Sequence, residues 1–317
     1  MRGPGCSWQG GEAQSPLVVI VGPTAVGKTR LALRLLGELG AEIVSADSRQ
    51  IYRGMDIGTD KPTAEERQRV PHHLIDIVDP DEEFTLARYQ DMAYAAIDDV
   101  LARSSVPLLV GGTGLYIKAV VEGWSIPRVR PNAVLRTELY READLKGGVA
   151  LHARLRQVDP VAAEKIDPRN VRRVIRALEV YLETGRPISE LQRRRPPPYR
   201  VLQIGLTMER ADLYQRIDQR VDRMIERGLV KEVRGLVEQG YGYELPAMSG
   251  LGYRQVGCYL RGEISLEEAI RLIKRDTRRF VRQQYNWFRL DDEGIHWFQA
   301  LDDPYERIKG VILQFLD

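Results

Sequence analysis

The stretch Leu17-Val18-Val19-Ile20-Val21-Gly22-Pro23-Thr24-Ala25-Val26-Gly27-Lys28-Thr29 decides the fold class of this chain. Five consecutive apolar residues indicate a strand of a parallel sheet covered on both faces. The next eight residues fit the pattern G-x-x-x-x-G-K-[ST], directly before a helical sequence. Backbone N–H groups of such a loop face a polyphosphate, the lysine holds its oxygens and the Thr29 hydroxyl is expected to ligate Mg²⁺. The residues predicted to bind a diphosphate or triphosphate are Gly22, Pro23, Thr24, Ala25, Val26, Gly27, Lys28 and Thr29.

Outward from this stretch, strand and helix signals alternate along the chain. Residues 42–45 indicate a second strand, and Thr85 can cap a helix that we expect to run to about residue 103. Residues 106–110 indicate a third buried strand, which ends at Gly111-Gly112-Thr113-Gly114. This alternation predicts an α/β fold whose core is a doubly wound parallel sheet, like that of P-loop NTPases.

The pattern changes after Glu122. Prolines and glycines punctuate residues 123–200, where no strand is evident, and apolar residues between 171 and 182 recur at helical spacing. The run Arg193-Arg194-Arg195-Pro196-Pro197-Pro198 predicts a stiff, non-helical linker. We therefore predict a helical insertion domain at 123–200 within a core of residues 17–122 and 201–317. Residues 1–16 are expected to form a flexible tail.

Helical signals dominate the C-terminal third. After a returning strand at 201–206, residues 210–239 indicate one or two amphipathic helices with a break near Gly228. Ser265 and Glu268 predict a capping box at the start of a helix that reaches about residue 288. A last strand at 295–298 and a last helix at 305–316 are expected to complete a helical C-terminal region.

The composition excludes several classes of protein. The 317 residues carry 47 lysines and arginines against 45 acids, and 43% are hydrophobic. That balance excludes collagen-like and broadly disordered chains, and no apolar run approaches the roughly 18 residues of a membrane span. Two widely spaced cysteines and no apparent secretory signal lead us to expect a cytoplasmic protein that does not bind membranes.

The basic residues are clustered although the formal net charge is only +2. Seven basic residues against one acid give residues 271–289 a local charge of +6, with aromatic residues between them. Residues 169–176 contain a second cluster and residues 193–195 a third. One charged helix is commonly a solvated face, but three clusters favour contact with a nucleic-acid backbone, with aromatic rings available to stack on bases.

A carboxylate follows the second predicted strand rather than the third. A phosphate loop is most typical of kinases and NTPases. These enzymes commonly have an acidic residue directly after an apolar strand, and that residue helps to hold Mg²⁺. Here the strand at residues 106–110 is followed by glycine instead. A parallel sheet would bring Asp47 to the edge where the phosphate loop lies. Asp47 is therefore either a turn former or a carboxylate that faces the substrate. The four histidines show no metal-site spacing.

Together these motifs resemble those of the bacterial tRNA dimethylallyltransferases, also called tRNA isopentenyltransferases. The matching segments are 22–29, SADSRQIY (45–52), GMDIGT (54–59), PHHLID (71–76), GGTGLYIK (111–118), RALE (176–179), GYR (252–254), and RQ (282–283) with Trp287. The resemblance implies Mg²⁺-dependent transfer of a dimethylallyl group from dimethylallyl diphosphate to N6 of adenosine 37 in tRNA, without ATP. The acceptors would be tRNAs that read codons beginning with U.

The resemblance also implies roles for single residues. Asp47 would be the general base for the N6 proton, Thr113 would bond near the reacting amine, and Arg216 or Arg220 would hold the diphosphate. Ser48 and Gln50 would read an adenine flipped out of the anticodon loop. The insertion would close over the anticodon stem-loop, and one site per chain makes a monomer sufficient. The residues expected to contact tRNA are Asp47, Ser48, Arg49, Gln50, Thr113, Arg136, Arg172, Arg173, Arg176, Gly252, Tyr253, Arg254, Arg278, Arg282, Gln283 and Trp287.

Three other functions fit parts of the sequence. An adenylate dimethylallyltransferase shares the phosphate loop but does not need the arginine-rich insertion. A small-molecule kinase would consume ATP, and a non-catalytic RNA-binding protein would leave the phosphate loop and Asp47 unexplained. Two residues also depart from the family pattern, because Arg254 replaces a common lysine and Arg282 follows Phe280-Val281 rather than Ala-Lys. Both keep the positive charge.

Overall fold

In the computed structural model of this chain, six strands of the described residues form one parallel sheet. The structure describes residues 14–195, 197 and 199–317, which divide into one unit of residues 14–121 and 199–317 and a second unit, Glu122–Pro197. The strands are β1 (Ser15–Val21), β2 (Ala41–Ala46), β3 (His72–His73), β4 (Val106–Gly111), β5 (Tyr199–Thr207) and β6 (Ile295–Gln299). The predicted α/β fold with a parallel sheet is confirmed.

The helices alternate with the strands in the first half of the chain and dominate the second. In chain order they are α1 (Lys28–Leu39), α2 (Ala64–Arg69), α3 (Leu86–Ala102), α4 (Gly114–Val121), α5 (Ala133–Lys146), α6 (Gly148–Val158), α7 (Pro160–Lys165), α8 (Val171–Thr184), α9 (Ile188–Leu191), α10 (Arg210–Glu226), α11 (Leu229–Glu238), α12 (Tyr253–Leu260), α13 (Leu266–Trp287) and α14 (Tyr305–Leu316). None of the helices among the described residues has both the length and the apolar composition of a membrane span.

The order of the strands brings the chemical groups to one edge. The sheet runs β3-β2-β4-β1-β5-β6, so β1, β2 and β4 lie side by side and point the same way. The residues that follow them are the phosphate loop after β1, Asp47 after β2 and Gly112-Thr113 after β4. Because the carboxyl ends of parallel strands share one edge, segments far apart in sequence meet there.

Two apolar cores cover the faces of the sheet because side chains alternate along each strand. Val18 and Ile20 of β1 pack on one face with residues of α1, α10 and α14. Val19 and Val21 pack on the other face with residues of α3 and α4. The continuous apolar sequence of β1 is thus explained by burial on both sides, as predicted.

A third core joins the C-terminal helices to the segment after β2. Apolar residues of α10, α11, α12 and α13 contact Ile51, Tyr52 and Met55 in this core. The segment after β2, including Asp47, is therefore braced from the C-terminal helices as well as from the sheet.

The second unit, Glu122–Pro197, has its own small core of residues from α5 to α9, as its helical spacing predicts. Asn132 caps α5 and Asn170 caps α8, each accepting a backbone N–H two or three residues into the helix. Helical signals predicted between residues 171 and 182 correspond to α8, whose buried face includes Val174, Ile175 and Leu178.

Most helices and strands begin and end where the local sequence signals predict, and a few do not. Thr85 caps α3, and Gly228 separates α10 from α11. β1 begins two residues earlier than predicted, and the short strand β3 was missed because two residues carry no periodicity. The capping box at α13 is half formed, since Ser265 accepts from Glu268 N but the Glu268 carboxylate bonds Arg271 instead. Residues 1–13 of the predicted tail, with Pro196 and Pro198 of the linker, lie outside the described residues.

Candidate active site

The phosphate loop between β1 and α1 has a backbone that its glycines make possible. Gly22 has a φ of 143° and Gly27 a φ of 110°. A Cβ on Gly22 would also overlap the carbonyl oxygen of Leu206. Glycine alone accepts both constraints without strain. The loop leads into the N-terminus of α1, where unpaired N–H groups and the helix dipole favour an anion.

Lys28 is the partly buried cation of this loop. Its ammonium group donates to the carbonyl oxygens of Gly22 at 3.0 Å and Pro23 at 2.8 Å. Burial lowers the pKa of Lys28 from 10.5 to about 8; the charge of Asp47 opposes this effect and that of Arg220 adds to it. An anion bound at the loop would favour the charged form of Lys28 and raise its pKa again.

A buried glutamine ties the phosphate loop to the end of β4. Gln284 of α13 accepts a hydrogen bond from Thr24 N at 2.8 Å and donates to Gly112 O at 2.9 Å. A Cβ on Gly112 would overlap the Gln284 amide, so glycine is needed at that point of the chain. One side chain thus sets the distance between the two loops.

Asp47, Ser48 and Thr113 form a polar group at the carboxyl ends of β2 and β4. Asp47 Oδ1 accepts from Arg49 N at 2.8 Å, which orients the carboxylate. Thr113 Oγ1 accepts from Ser48 N at 3.0 Å and lies 3.3 Å from the Ser48 hydroxyl. Three residues predicted to meet the acceptor base are therefore adjacent, although 65 residues separate Ser48 from Thr113.

The phosphate loop opens into a cavity of about 850 Å³ that we call the charged cavity. One wall is the phosphate loop with Lys28 and Thr29, and the facing wall is α10. Three arginines of α10 and the arginine at its C-cap lie on this side of the helix because they are spaced by four, three and four residues. They are Arg216, Arg220, Arg223 and Arg227. Such a surface suits a diphosphate, which can accept charge-assisted bonds from several guanidinium groups.

A second cavity of about 250 Å³, the apolar cavity, lies on the other side of Asp47. Its polar end contains Asp47, Ser48 and Thr113. Its remaining wall is largely apolar and includes Ile217, Val221, Met224, Ile273 and Phe280. Asp47 and Arg220 line both cavities. A carboxylate therefore stands where a charged ligand and an apolar or aromatic ligand can meet.

The segment 54–61, which begins with the family motif GMDIGT (54–59), is held by two charged side chains. Glu232 of α11 accepts from the N–H groups of Asp56, Ile57 and Gly58 at 2.7–3.1 Å. The Lys61 ammonium, almost fully buried, lies 2.8 Å from an Asp56 carboxylate oxygen. These bonds fix the backbone that supplies Thr59 and Asp60 to the wall of the charged cavity.

Several side chains of the first unit predicted to contact tRNA have partners within the protein. The Gln50 amide accepts from the Ser45 hydroxyl and donates to the carbonyls of residues 59 and 60. The Tyr253 hydroxyl donates to the Glu232 carboxylate at 2.6 Å, and Tyr253 is buried. Trp287 packs against Gly114. Among the residues predicted to contact tRNA, Gly252 and Tyr253 line the apolar cavity, whereas Gln50 lines the charged cavity.

The charge of α13 is smaller than its own sequence indicates, because neighbouring elements supply acids. Arg278 pairs with Asp218 and Lys274 with Asp222, both on α10. Asp276 is shared by Arg275 and the predicted tRNA contact Arg254. Arg282 and Gln283 are exposed, and neither has a side-chain partner among the residues that the structure describes.

In the second unit, the predicted arginines differ in what they contact. Arg136 and Arg176 both bond the fully buried carboxylate of Glu179, at 2.8 Å and 2.6 Å. Burial would raise the pKa of Glu179, but the hydrogen bonds from these arginines outweigh it and lower the pKa. Arg172 and Arg173 of α8 are exposed, with no ion-pair partner within the described ranges.

No role in the site was predicted from the sequence for Gln284, Glu232 or Asp60. A signal for Gln284 was present, since it continues the buried face of α13 formed by Ala269, Ile273, Thr277 and Val281. A polar residue on an apolar helical face requires a partner. No comparable local pattern marks Glu232 or Asp60.

Comparisons with known proteins agree with one another. The family model described as IPP transferase matches residues 50–291, and one described as Isopentenyl transferase matches residues 15–82. A tRNA dimethylallyltransferase of Roseiflexus castenholzii is 56% identical over 302 residues, covering 95% of this chain and 99% of that protein. One of Thermomicrobium roseum is 53% identical over 301 residues, covering 93% of this chain and 92% of that protein.

Solved structures of two relatives also match. The full-length tRNA isopentenylpyrophosphate transferase of Bacillus halodurans has a TM-score of 0.71 at 44% identity, covering 95% of this chain and 97% of that chain. A eukaryotic dimethylallyltransferase acting on tRNA has a TM-score of 0.81 at 28% identity, covering 95% of this chain and 79% of that chain.

Proposed function

The chain belongs to the tRNA dimethylallyltransferase family, and from that membership we propose that it transfers a dimethylallyl group from dimethylallyl diphosphate to N6 of adenosine 37 in tRNA. The observation that carries the proposal is the meeting of the charged and apolar cavities at Asp47. One cavity suits the diphosphate leaving group, and the other suits the dimethylallyl group and the acceptor base.

The charged cavity would stabilise the leaving group. As the bond between C1 of the dimethylallyl group and the diphosphate oxygen breaks, negative charge accumulates on the diphosphate. Backbone N–H groups of the phosphate loop, Lys28 and Arg220 are preorganised around that region. Between the two candidate arginines, Arg220 is favoured because it lines both cavities, whereas Arg216 lines the charged cavity only.

Asp47 would accept the proton of the acceptor. The adenine N6 amine is a weak nucleophile, so its attack on C1 is assisted if a carboxylate removes the N6 proton. Oδ1 of Asp47 is oriented by Arg49 N, and both cavities reach the side chain. Thr113 and Ser48, beside it, would hydrogen-bond the amine or the adenine edge.

Mg²⁺ would bind between protein and diphosphate. No group of three or more His, Cys, Asp and Glu side chains suited to a metal occurs among the described residues. Mg²⁺ does not need one, because it commonly uses one or two protein oxygens, substrate phosphates and water. The Thr29 hydroxyl in the charged cavity fits this requirement. When bound, the ion would neutralise charge on the departing diphosphate.

The tRNA partner follows from the family, and its fine recognition is part of the proposal. An adenosine in the anticodon loop must leave its stack to reach Asp47, which supports base flipping. The exposed Arg172, Arg173 and Arg282 are the best candidates for phosphate contacts, because no acid neutralises them among the described residues. We further propose that acceptors read codons beginning with U, and that the protein acts as a cytoplasmic monomer.

One labelling assay tests this function. Protein, Mg²⁺ and radiolabelled dimethylallyl diphosphate are incubated with a tRNA that has adenosine at position 37, and with the same tRNA carrying guanosine there. We expect label in the first tRNA alone, loss of labelling with a chelator and recovery with added Mg²⁺. Labelling of free AMP but not of tRNA would overturn the proposed acceptor. The salt dependence of tRNA binding is a second readout. Each tRNA phosphate that a basic side chain neutralises releases counterions, so the affinity falls more steeply with salt as the number of such contacts rises.

A further inference from the structure

Asp60 lies in the charged cavity and has no part in the function described above. Its Oδ2 is 3.5 Å from Arg220 Nη1, and its Oδ1 is 3.6 Å from Arg227 Nη1. The carboxylate thus bridges two of the arginines that line the cavity, Arg220 of α10 and Arg227 at its C-cap. Arg220 is also the arginine that reaches the apolar cavity and adds to the lowering of the Lys28 pKa.

The backbone around Asp60 is held from several directions. Asp60 has a φ of 53°, a left-handed conformation that is uncommon for residues other than glycine, asparagine and aspartate. Its N–H donates to Ile57 O at 3.1 Å, and its carbonyl oxygen accepts from Gln50 Nε2 at 3.3 Å. On either side, the Thr59 hydroxyl donates to Met55 O, and Lys61 is buried among backbone and carboxylate oxygens. The carboxylate is therefore presented to α10 by a braced segment.

The other acids of the charged cavity are engaged elsewhere. Asp47 accepts from Arg49 N, and Glu66 takes part in the capping box of α2 with Thr63. Among the described residues that line the cavity, Asp60 is the acid paired with Arg220 of α10 and with Arg227 at its C-cap. A diphosphate that binds Arg220 must take the place of this carboxylate, because both anions need the same guanidinium group.

We propose that Asp60 is a positioning residue that holds Arg220 and Arg227 in the charged cavity before diphosphate binds and competes with diphosphate for them. The proposal rests on the proposed function, since it assigns the charged cavity to the diphosphate group. Before binding, Asp60 offsets repulsion among the clustered arginines. After the reaction, it rebinds Arg220 and lowers the affinity for the diphosphate product. The exchange involves ion pairs alone, so no covalent bond changes.

The direction of the effect separates this role from a structural one. Loss of a bond that merely maintained the fold would weaken diphosphate binding. Loss of a competing anion strengthens it. The Asp60→Asn substitution removes the charge and keeps the shape, and asparagine tolerates the left-handed backbone. We expect the dissociation constant of inorganic diphosphate to fall by about two- to fivefold, as for the loss of one partly exposed carboxylate.

The chain contains a matched control. Asp303 also has a left-handed backbone, with a φ of 41°, and pairs at 2.6 Å with Arg34, which lines the charged cavity away from α10. Asp303→Asn therefore removes an equal charge from the partner of another arginine of the cavity without affecting Arg220. We expect it to change the diphosphate dissociation constant by less than about twofold.

The test is titration calorimetry of the full chain with inorganic diphosphate and Mg²⁺, for wild type, Asp60→Asn and Asp303→Asn. In steady state, the KM for dimethylallyl diphosphate and the inhibition constant of diphosphate should both fall for Asp60→Asn. In an Arg220→Gln background, Asp60→Asn should have less than half of its effect on a logarithmic scale. If Asp60→Asn does not fold, Asp60→Gly, which also accepts a positive φ, should show the same direction of change.

The outcomes distinguish this inference from the proposed function. If wild type binds diphosphate and the Asp60 variants bind it equally or more weakly, the inference is wrong and the proposed function stands. If Asp303→Asn strengthens binding as much as Asp60→Asn, general charge rather than pairing is responsible, and the inference is also wrong. If wild type neither binds diphosphate nor labels tRNA, both fail.

Discussion

The charged cavity and the apolar cavity share Thr24, Asp47, Thr59, Gly112 and Arg220 but differ in the rest of their walls. The charged cavity is more than three times larger and is lined by Lys28 and a row of arginines. The apolar cavity combines aliphatic and aromatic side chains such as Ile217 and Phe280 with glycines and polar groups. The difference indicates that the two ends of the reaction are separated, with the leaving group on one side of Asp47 and the reacting carbon and acceptor on the other.

Helix α10 contributes to both cavities with different faces. Arg216, Arg220 and Arg223 line the charged cavity, and Ile217, Val221 and Met224 line the apolar cavity. Because residues three and four apart are neighbours on a helix, two adjacent stripes run along α10, and of these six residues Arg220 alone lines both cavities. Substitutions on the two sides should therefore change different kinetic quantities.

The largest effect is expected at Asp47, where the cavities meet. Asp47→Ala should lower turnover by about 10²–10⁴, as for the loss of a general base, while the affinities for tRNA and diphosphate change little. Single-turnover labelling and separate binding titrations measure these quantities. Asp79→Ala, a surface acid paired with Arg53, is the control for the loss of an acid. Unchanged turnover in Asp47→Ala would make this residue a turn former.

The next largest effect is expected within the charged cavity. Arg220→Gln should weaken diphosphate binding by about 10- to 100-fold, because a hydrogen bond to a charged group contributes about 1.5–3 kcal/mol. Arg223→Gln removes the same charge from the same helix but from a residue that lines the charged cavity alone. Titration of both variants with diphosphate compares the two. Equal losses would show that the cavity acts through total charge and would contradict a specific role for Arg220.

The pH dependence of diphosphate binding should report on Lys28. Its pKa of about 8 means that the free protein loses this charge above pH 8, whereas bound diphosphate favours the charged form. Affinity should be steady below pH 8 and fall by up to about tenfold per pH unit above it. Titrations in buffers of different ionisation enthalpy should detect proton uptake. The Lys28→Arg variant is the control. Its side chain stays charged throughout this pH range, so its affinity changes only with the titration of diphosphate itself.

The effect of Lys28 on stability should have the opposite direction. The pKa of Lys28 is lower in the folded protein than the 10.5 of an exposed lysine. The unfolded chain therefore binds more protons between about pH 8 and 10.5, and the contribution of Lys28 to stability rises with pH in that window. Thermal melting of wild type and Lys28→Met across this range measures it. If the stability of the ligand-free protein fell with pH over this range, as the diphosphate affinity is expected to do, the lowered pKa could not be assigned to Lys28.

The smallest effect on chemistry is expected at the tie between the loops. Gln284→Ala leaves Thr24 N and Gly112 O without their buried partner, which should cost about 1–2 kcal/mol of unfolding free energy and lower the Tm by about 2–8 °C. The neighbouring Gln283→Ala is the control, because Gln283 is exposed. Gln283→Ala should leave the Tm unchanged and weaken tRNA binding slightly. Equal melting temperatures for both variants would exclude Gln284 as the tie.

Much of the fold could be predicted because its signals are local. The apolar run of β1 and the glycines after it lie within thirteen residues, and the cap Thr85 lies next to the helix that it begins. The family predicted from these motifs is confirmed by the relatives. β3 was missed because two residues that pair by backbone bonds alone leave no pattern in the sequence.

The candidate site was predictable in part. The phosphate loop and Asp47 follow strands, and parallel topology brings the ends of strands together whatever the packing details. The interpretation of α13 as a strongly basic surface could not be settled from residues 271–289, because Asp218 and Asp222, which pair with its cations, lie about fifty to sixty residues earlier. Whether the exposed arginines contact tRNA stays a prediction.

The sequence by itself determined the parallel sheet, the phosphate loop and the carboxylate after β2, because short-range periodicity and turn chemistry encode them. Only the tertiary structure decided which side chains support that chemistry. Thr24 and Gln284 are 260 residues apart, and Glu232 accepts from an amide 176 residues away. The physical reason is that a buried polar group must find a partner wherever packing supplies one, and the identity of that partner depends on the whole fold.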